Sequence, residues 1–325
     1  MKTHLRSVKL KTGEMMDILR VTAPDAEFRE RILVYLAHKG MPWMVPMEEH
    51  LAGELEGLKQ YFYIGVVGDE IIGNASSVEA LERPVGILQH VFTPPERRRQ
   101  GICSSIIRTY ADDFEARGGR AAYLHTGYDS PAYHIYRSVG FVGYRDTGIM
   151  ERFTDPSFHE DFWARRPTIV RDTRWADWAL LDALFGIEEG WYLRTIHHRQ
   201  WGRSGYEGQY VHAREEMTHG EIVQMKVLEA QNGAVVGLAY LSRDRLFRGD
   251  TWLLDLFVHP HYYDDAVRLL QAMDLDRHAK VQCYGDATQP EKAEMIEAVG
   301  FRQEAFLPAQ VRRGEEWLAV TVYAR

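Results

Sequence analysis

Cysteine is the scarcest residue in this chain: only Cys103 and Cys283 occur in 325 residues. They lie far apart and without metal-ligand spacing. That excludes a disulfide framework and a cysteine-built zinc site, and it fits a reducing, cytoplasmic setting. Long hydrophobic runs are missing too. The apolar stretch at residues 61–67 is strand-sized, so no membrane span is expected. The first seven residues contain no hydrophobic core, so no signal peptide is expected. Positive charge is in deficit, with 39 Lys and Arg against 47 Asp and Glu and a net charge of −8. That balance argues against a nucleic-acid partner. Apolar residues are not scarce: at 45%, with 26% charged, they describe a globular chain long enough for two domains with sizeable cores.

The most informative segment runs from residue 87 to 107. Residues 87–92 read as a buried strand that Pro94 and Pro95 stop. Arg97, Arg98, Arg99, Gln100, Gly101, Ile102 and Cys103 form a turn, and Ser104 opens an amphipathic helix. A helix start offers amides without intrahelical partners and the positive end of the macrodipole. Gly101 permits close backbone approach, and the arginines add full charges for phosphate. The expected ligand carries a pyrophosphate. No Gly-Lys-Ser/Thr follows the glycine, and the three glycines of a dinucleotide fingerprint are absent.

A second segment follows at a regular distance. Residues 120–126 read as a short buried strand, and residues 127–131 as a turn with helix-capping chemistry and Pro131 at the first helical position. Ala132, Tyr136, Gly140 and Phe141 then fall in a regular spacing. The turn Pro95-Glu96-x-Arg98-x-x-Gly101-Ile102 resembles the coenzyme A loop Q/R-x-x-G-x-G/A of the GNAT N-acetyltransferase family, with Cys103 at the last small position. Residues 129–141 resemble that family's N-x-x-A-x-x-L-Y-x-x-x-G-F signature, with Asp129 or Ser130 near the usual asparagine.

The resemblance implies acetyl-CoA as cosubstrate and direct attack of a primary amine, on a small molecule or a peptide, upon the thioester carbonyl. A net negative charge suits a cationic amine. It implies a pyrophosphate held by Arg98, Arg99, Gln100, Gly101, Ile102, Cys103 and Ser104, with Asp129 nearby. The pantetheine arm is expected along the strand edge at Val91, Phe92 and Thr93. Tyr136 is expected to protonate the departing thiolate, because a phenol of ordinary pKa near ~10 stays protonated when a thiol near ~8.5 does not. Where many relatives carry a basic glutamate, this chain has Gln89, which can orient a water but not accept the proton. His90 and His125 are the alternatives, and strand alternation places His90 on the face opposite Gln89. Cys103 is expected to pack rather than react. Trp43 and the acidic residues Glu48, Glu49, Glu54 and Glu56 are candidates for the amine-binding side. Two other readings stay open: a non-catalytic acyl-CoA-binding or regulatory module, kept alive by Gln89, and an acyltransferase for a different acyl chain.

The second half repeats the first. Hairpins at 61–75 and 221–240, strands at 87–92 and 252–258, and two runs ending in Val-Gly-Phe suggest duplication. The expected fold is α/β (α+β): two tandem GNAT-like domains, each a mixed, mostly antiparallel sheet flanked by helices, at residues 1–155 and 165–325. In the second copy the turn is His259-Pro260-His261-Tyr262-Tyr263-Asp264-Asp265, without glycine and with two carboxylates, and Ile296 stands where Tyr136 does. That half is expected to have lost coenzyme binding and to help shape the substrate cleft. No metal is expected: the His197-His198 pair and His259-x-His261 lack an accompanying cysteine or carboxylate cluster and read as surface histidines. Trp175, Trp178, Trp191 and Trp201 are expected in the second core.

Overall fold

The computed structural model describes residues 1–81, 84–245, 250–286 and 289–325. They form two compact units by contact: residues 1–158 with 174–183, and residues 159–173 with 184–325. Among the described residues no helix is long and apolar enough to cross a membrane.

The first unit runs β1 (Lys2–Lys9), β2 (Met15–Thr22), α1 (Arg29–Leu36), α2 (Met44–Ala52), β3 (Leu58–Val67), β4 (Glu70–Ala80) and β5 (Val85–Phe92). After these come α3 (Ile102–Ala116), β6 (Ala121–His125), α4 (Pro131–Arg137), β7 (Val142–Gly143) and β8 (Ile149–Phe153). Among the described residues its eight strands lie in the order β1-β2-β3-β4-β5-β6-β8-β7, with β5/β6 the one parallel pair. α5 (Phe158–Phe162), β9 (Thr168–Asp172) and α6 (Asp177–Phe185) carry the chain across between the units.

The second unit adds β10 (Leu193–Thr195), β11 (Gln200–Trp201), α7 (Glu207–Thr218), β12 (Ile222–Ala230), β13 (Val235–Arg243), β14 (Thr251–Val258), α8 (Ala266–Gln271), β15 (Lys280–Asp286), α9 (Pro290–Ala298), β16 (Arg302–Arg313) and β17 (Glu316–Ala324). Its sheet order, read from the other edge, is β9-β12-β13-β14-β15-β17-β16, with β14/β15 the parallel pair. Strand for strand this is the order β2-β3-β4-β5-β6-β8-β7. Two mixed, mostly antiparallel sheets flanked by helices are thus present, as the sequence predicted. Residues 174–183 group with the first unit, however, beyond the boundary drawn at 155–165. Trp175 and Trp178 therefore belong to the first unit rather than to the second core.

Strand alternation divides the first unit's core into two layers. On one face Met16, Ile18, Tyr63, Leu88 and Leu124 pack against Ile102, Ile106, Tyr110 and Phe114 of α3 and against Tyr136 of α4. On the other, Val21, Phe62, Ile64 and Ile71 pack against Phe28, Ile32 and Leu36 around α1 and Met47 and Leu51 of α2. The spacing 102, 106, 110, 114 is one apolar stripe of a 15-residue helix. Gly65 and Gly73 face each other across β3 and β4, and a Cβ on Gly73 would lie 2.5 Å from Ile102 and 2.7 Å from Ile106. Their missing side chains let the first turn of α3 lie on the sheet, which fixes where its amides point.

The far end of α3 is pinned by a half-buried charge network. Arg20 Nη1 donates to both oxygens of Asp113 at 2.7 and 2.9 Å, and Tyr63 Oη donates to the same carboxylate at 2.7 Å. Arg117 Nε donates to Asp113 at 2.8 Å, and its two terminal nitrogens donate to Glu79 at 2.6 and 2.8 Å. Removing one partner from such a network leaves an uncompensated charge, at a cost of about 3–5 kcal/mol.

Candidate active site

β5 pairs with β4 as Asn74 with Phe92 and Ser76 with Gln89, so His90 and Val91 together oppose Ala75. This is a β-bulge with His90 in the left-handed region at φ 51°. Asn74 Nδ2 donates to the His90 carbonyl at 2.9 Å, and Ser76 Oγ to the Gln89 carbonyl at 3.2 Å. The extra residue reverses alternation beyond Gln89: Val91 packs with the α3 layer and Phe92 with the α1–α2 layer. The expectation that His90 faces away from Gln89 is therefore corrected. Gln89 pairs with Ser76, which pairs with Phe62 of the α1–α2 layer, and the His90 ring lies 5.6 Å from Trp43 at the start of α2.

Gln89 is buried, and neither atom of its side-chain amide finds a hydrogen-bond partner among the described residues. Such a group costs about 1–3 kcal/mol unless something else satisfies it. His90 has its pKa pushed down to about 3, first by burial and then by the charges of Lys39 and His38. It stays neutral at physiological pH and is a poor acceptor for an ammonium proton. The acidic candidates Glu48, Glu49, Glu54 and Glu56 are all exposed. It is the aromatic rings of His38 and Trp43 that reach the end of β5.

β5 and β6 pair only from Val85/Ala121 to Ile87/Tyr123 and then diverge, although both strands continue. A cavity of about 660 Å³ opens at the end of β5, next to the start of α3 and α4. Of the residues expected at the coenzyme, Val91, Phe92, Thr93, Arg98, Arg99, Gly101, Ile102, Cys103, Ser104 and Tyr136 line it. Gln89, His90, Gln100 and Asp129 do not. Ser130, the alternative to Asp129, lines it, and Lys11 and Ile135 do so without having been foreseen.

The turn owes its shape to two left-handed residues, Arg99 at φ 62° and Gly101 at φ 94°. A Cβ on Gly101 would meet nothing within 4 Å, so the glycine answers to backbone conformation and not to crowding. Gly101 precedes the first helical residue, with no side-chain cap and no acid in the first turn of α3. The amides of Ile102, Cys103 and Ser104 therefore have no intrahelical acceptor. Gln100 knits the turn: its carbonyl accepts from Lys11 N–H at 3.2 Å and its side chain donates to the Glu96 carbonyl at 3.3 Å. The three arginines separate by role. Arg97 is tied to Glu14 at 3.1 Å and Glu70 at 2.9 Å, whereas Arg98 and Arg99 are exposed at the cavity rim. Burial raises the Cys103 thiol to about 11, so it is not a nucleophile at neutral pH.

α4 brings Tyr136 to the cavity. Ser130 caps the helix, its Oγ accepting from the Tyr133 N–H at 3.2 Å. Asp129 lies outside the cavity lining, at φ 55° and 3.0 Å from His134, so Ser130 takes the place expected for it. Tyr136 is buried beside Phe141, while Tyr133, one turn earlier, packs toward Tyr128 and Gly143. At the end of β6, His125 Nε2 lies 3.2 Å from both oxygens of Asp182, whose side chain is 1% exposed. Asp182 comes from α6, 57 residues later, and no local signal in the sequence marks it.

In the second unit the corresponding turn is a short 3₁₀ helix, Pro260–Asp265, running into the six residues of α8. His259 caps it, its Nδ1 accepting from His261 N–H at 3.2 Å, and its ring stacks on Trp163 at 4.8 Å. Tyr262 Oη donates to the Ala164 carbonyl at 2.5 Å, and Arg165 pairs with Asp265. The chain's own residues 163–165 fill the turn. The expectation of surface histidines holds for His261, which is exposed, and is corrected for the other three. His259 is buried, with its pKa pushed down to about 3 by burial, and the His197 and His198 side chains are 5% and 7% exposed. The carboxylate missing from their sequence neighbourhood is supplied by Glu216 of α7.

The helix start thus presents bare amides to a cavity beside a split parallel strand pair. Residues 20–141 match the model of the Acetyltransferase (GNAT) family, and the chain carries a domain of that acyltransferase family. Among solved structures it is similar to a phosphinothricin acetyltransferase from Sinorhizobium meliloti in complex with AcCoA, at 17% identity and TM-score 0.41 over 49% of this chain and 87% of that one. It is also similar to a ribosomal-protein-alanine N-acetyltransferase from Brucella melitensis (16%, TM-score 0.40, 48% and 98%). A spermidine N-acetyltransferase from Vibrio cholerae, in complex with CoA and spermine, is a third (14%, TM-score 0.39, 49% and 94%). No curated protein matches the chain.

Proposed function

We propose that this chain is an N-acetyltransferase that moves the acetyl group of acetyl-CoA to a primary amine by direct attack. The observation that carries the reading is the cavity of about 660 Å³ that has Val91, the bare amides after Gly101, and Tyr136 on one lining. The diphosphate would lie on the amides of Ile102, Cys103 and Ser104, with Arg98 and Arg99 at the rim. The pantetheine amides would pair with the edge of β5 that β6 leaves after Ile87. The amine nitrogen would form its bond to the thioester carbon as the carbon–sulfur bond breaks, and Tyr136 would return a proton to the thiolate. His125, oriented by buried Asp182, suits the proton acceptor better than His90 does, because burial weakens His90 as a base. The second unit, with the same strand order and a filled turn, would be a degenerate copy without coenzyme.

The test is free-thiol release from acetyl-CoA across a panel of small-molecule and peptide amines. Turnover that falls in Tyr136→Phe while coenzyme affinity holds supports the transferase. Gln89 in place of a carboxylate favours a second reading, a coenzyme-binding module without turnover. Tight coenzyme binding with no thiol release on any amine would establish that reading instead.

A further inference from the structure

We propose that His197, His198 and Glu216 bind one divalent transition-metal ion of the zinc class in the second unit. The two imidazole Nε2 atoms lie 2.9 and 3.1 Å from the same Glu216 oxygen, Oε2, and no pair of the three ligand atoms is more than 4.8 Å apart. A tetrahedral ion with bonds of about 2.0–2.2 Å holds its donors about 3.3–3.5 Å apart. The nitrogen–oxygen pairs need only open by a few tenths of an ångström, and the widest pair close by about one. Two imidazoles with one carboxylate are a borderline donor set that suits zinc and its neighbours. Three protein ligands leave one position for water or an outside ligand.

The surroundings hold these donors in place. His198 Nδ1 lies 3.1 Å from Tyr240 Oη, which can accept a hydrogen bond from Nδ1–H once Nε2 ligates a metal. The Asp255 carboxylate accepts from the N–H groups of Ile196 at 2.6 Å and His197 at 3.0 Å, and so fixes the turn that presents both rings. Arg245 donates to the other oxygen of Glu216 at 3.0 Å, leaving Oε2 for the rings. Arg245 is shared between Glu216 at 3.0 Å and Glu221 at 3.5 Å, so with Asp255 the carboxylates outnumber the one cation, a balance that attracts a dication. Glu216 also lies in the last turn of α7, the negative end of the helix, which adds to the local negative potential that draws a cation. The ion would tie the β10–β11 turn to α7 across 18 or 19 residues of sequence.

The test uses the tag-free, full-length chain, stripped with EDTA, dialysed and titrated with zinc chloride by calorimetry. One equivalent per chain is expected, with a rise in thermal midpoint as zinc exceeds its dissociation constant. Glu216→Gln and His197→Ala should each weaken binding at least about tenfold. Tyr240→Phe, which keeps all three ligands, should retain one equivalent at about tenfold lower affinity. Cobalt(II) should give visible ligand-field bands with the unsubstituted chain that Glu216→Gln abolishes. Should His197→Ala fail to fold by circular dichroism, the cobalt spectrum and the near-isosteric Glu216→Gln decide. The proposal is overturned if the unsubstituted chain takes up no stoichiometric zinc, or if Glu216→Gln binds it equally well.

Discussion

The turn after β5 and the turn after β14 occupy the same place in two sheets of the same strand order, yet one is open and the other is stoppered. After β5 the chain uses Gly101 to start a 15-residue helix with nothing capping its amides. After β14 it uses His259 as the cap and lets Trp163 and Ala164 fill the space in front. The same strand order thus carries two different turns, because a turn's shape depends on a few backbone conformations and on what packs against them. The Val-Gly-Phe corners survive in both units, with Gly140 at φ 94° and Gly300 at φ 95°. Those corners serve the fold, not the chemistry.

This contrast can be broken experimentally. Tyr136→Phe should lower kcat about 10²- to 10⁴-fold with little change in coenzyme affinity, as loss of a general acid does; Ile296→Tyr should restore nothing, and equal kcat for Tyr136→Phe would remove the acid from the scheme. Trp163→Ala should cost about 3–5 kcal/mol of stability in urea denaturation while coenzyme affinity stays level. A changed affinity would mean that the second turn matters to the ligand. Arg98→Asp with Arg99→Asp gives the open turn the charge of the stoppered one, and calorimetry with coenzyme A should then read about a 100-fold weaker dissociation constant.

The next effect is a pH dependence. Burial raises the Asp113 pKa, but the hydrogen bonds from Arg117, Arg20 and Tyr63 outweigh it and hold the folded value below 3.8. A depressed carboxylate stabilises the fold above its unfolded pKa of about 3.9, and that stabilisation is lost as pH falls below it. Asp113→Asn should therefore lower the urea midpoint at pH 7, and the gap to the unsubstituted chain should shrink at pH 3. A gap that does not change with pH would assign the network to packing alone. Smallest of all, His261→Ala should leave coenzyme affinity unchanged.

Much of the architecture could be read from local pattern. Hairpins, the arginine turn and the two Val-Gly-Phe corners each lie within a short window, where hydrophobic period and turn chemistry act. What escaped that reading depends on partners distant in sequence. The bulge at His90 is one residue longer than its cross-strand partner, and only β4 reveals it. Arg97 looks like Arg98 and Arg99 until Glu14 and Glu70 are in place. Asp182 reaches His125, and Glu216 reaches His197 and His198, across 57 and 18–19 residues, where no spacing rule operates. The tryptophans of 174–183 were assigned to the later core because a chain that changes unit twice looks the same in sequence as one that changes once.

That double change has a practical consequence for anyone dissecting the molecule. No single scalpel cut yields an intact amino-terminal piece: excision at residue 158 would discard Asp182 and strip His125 of its carboxylate, while the interrupting stretch 159–173 would leave with the other fragment. A fragment meant to preserve the first unit would need residues 174–183 grafted back through a designed linker.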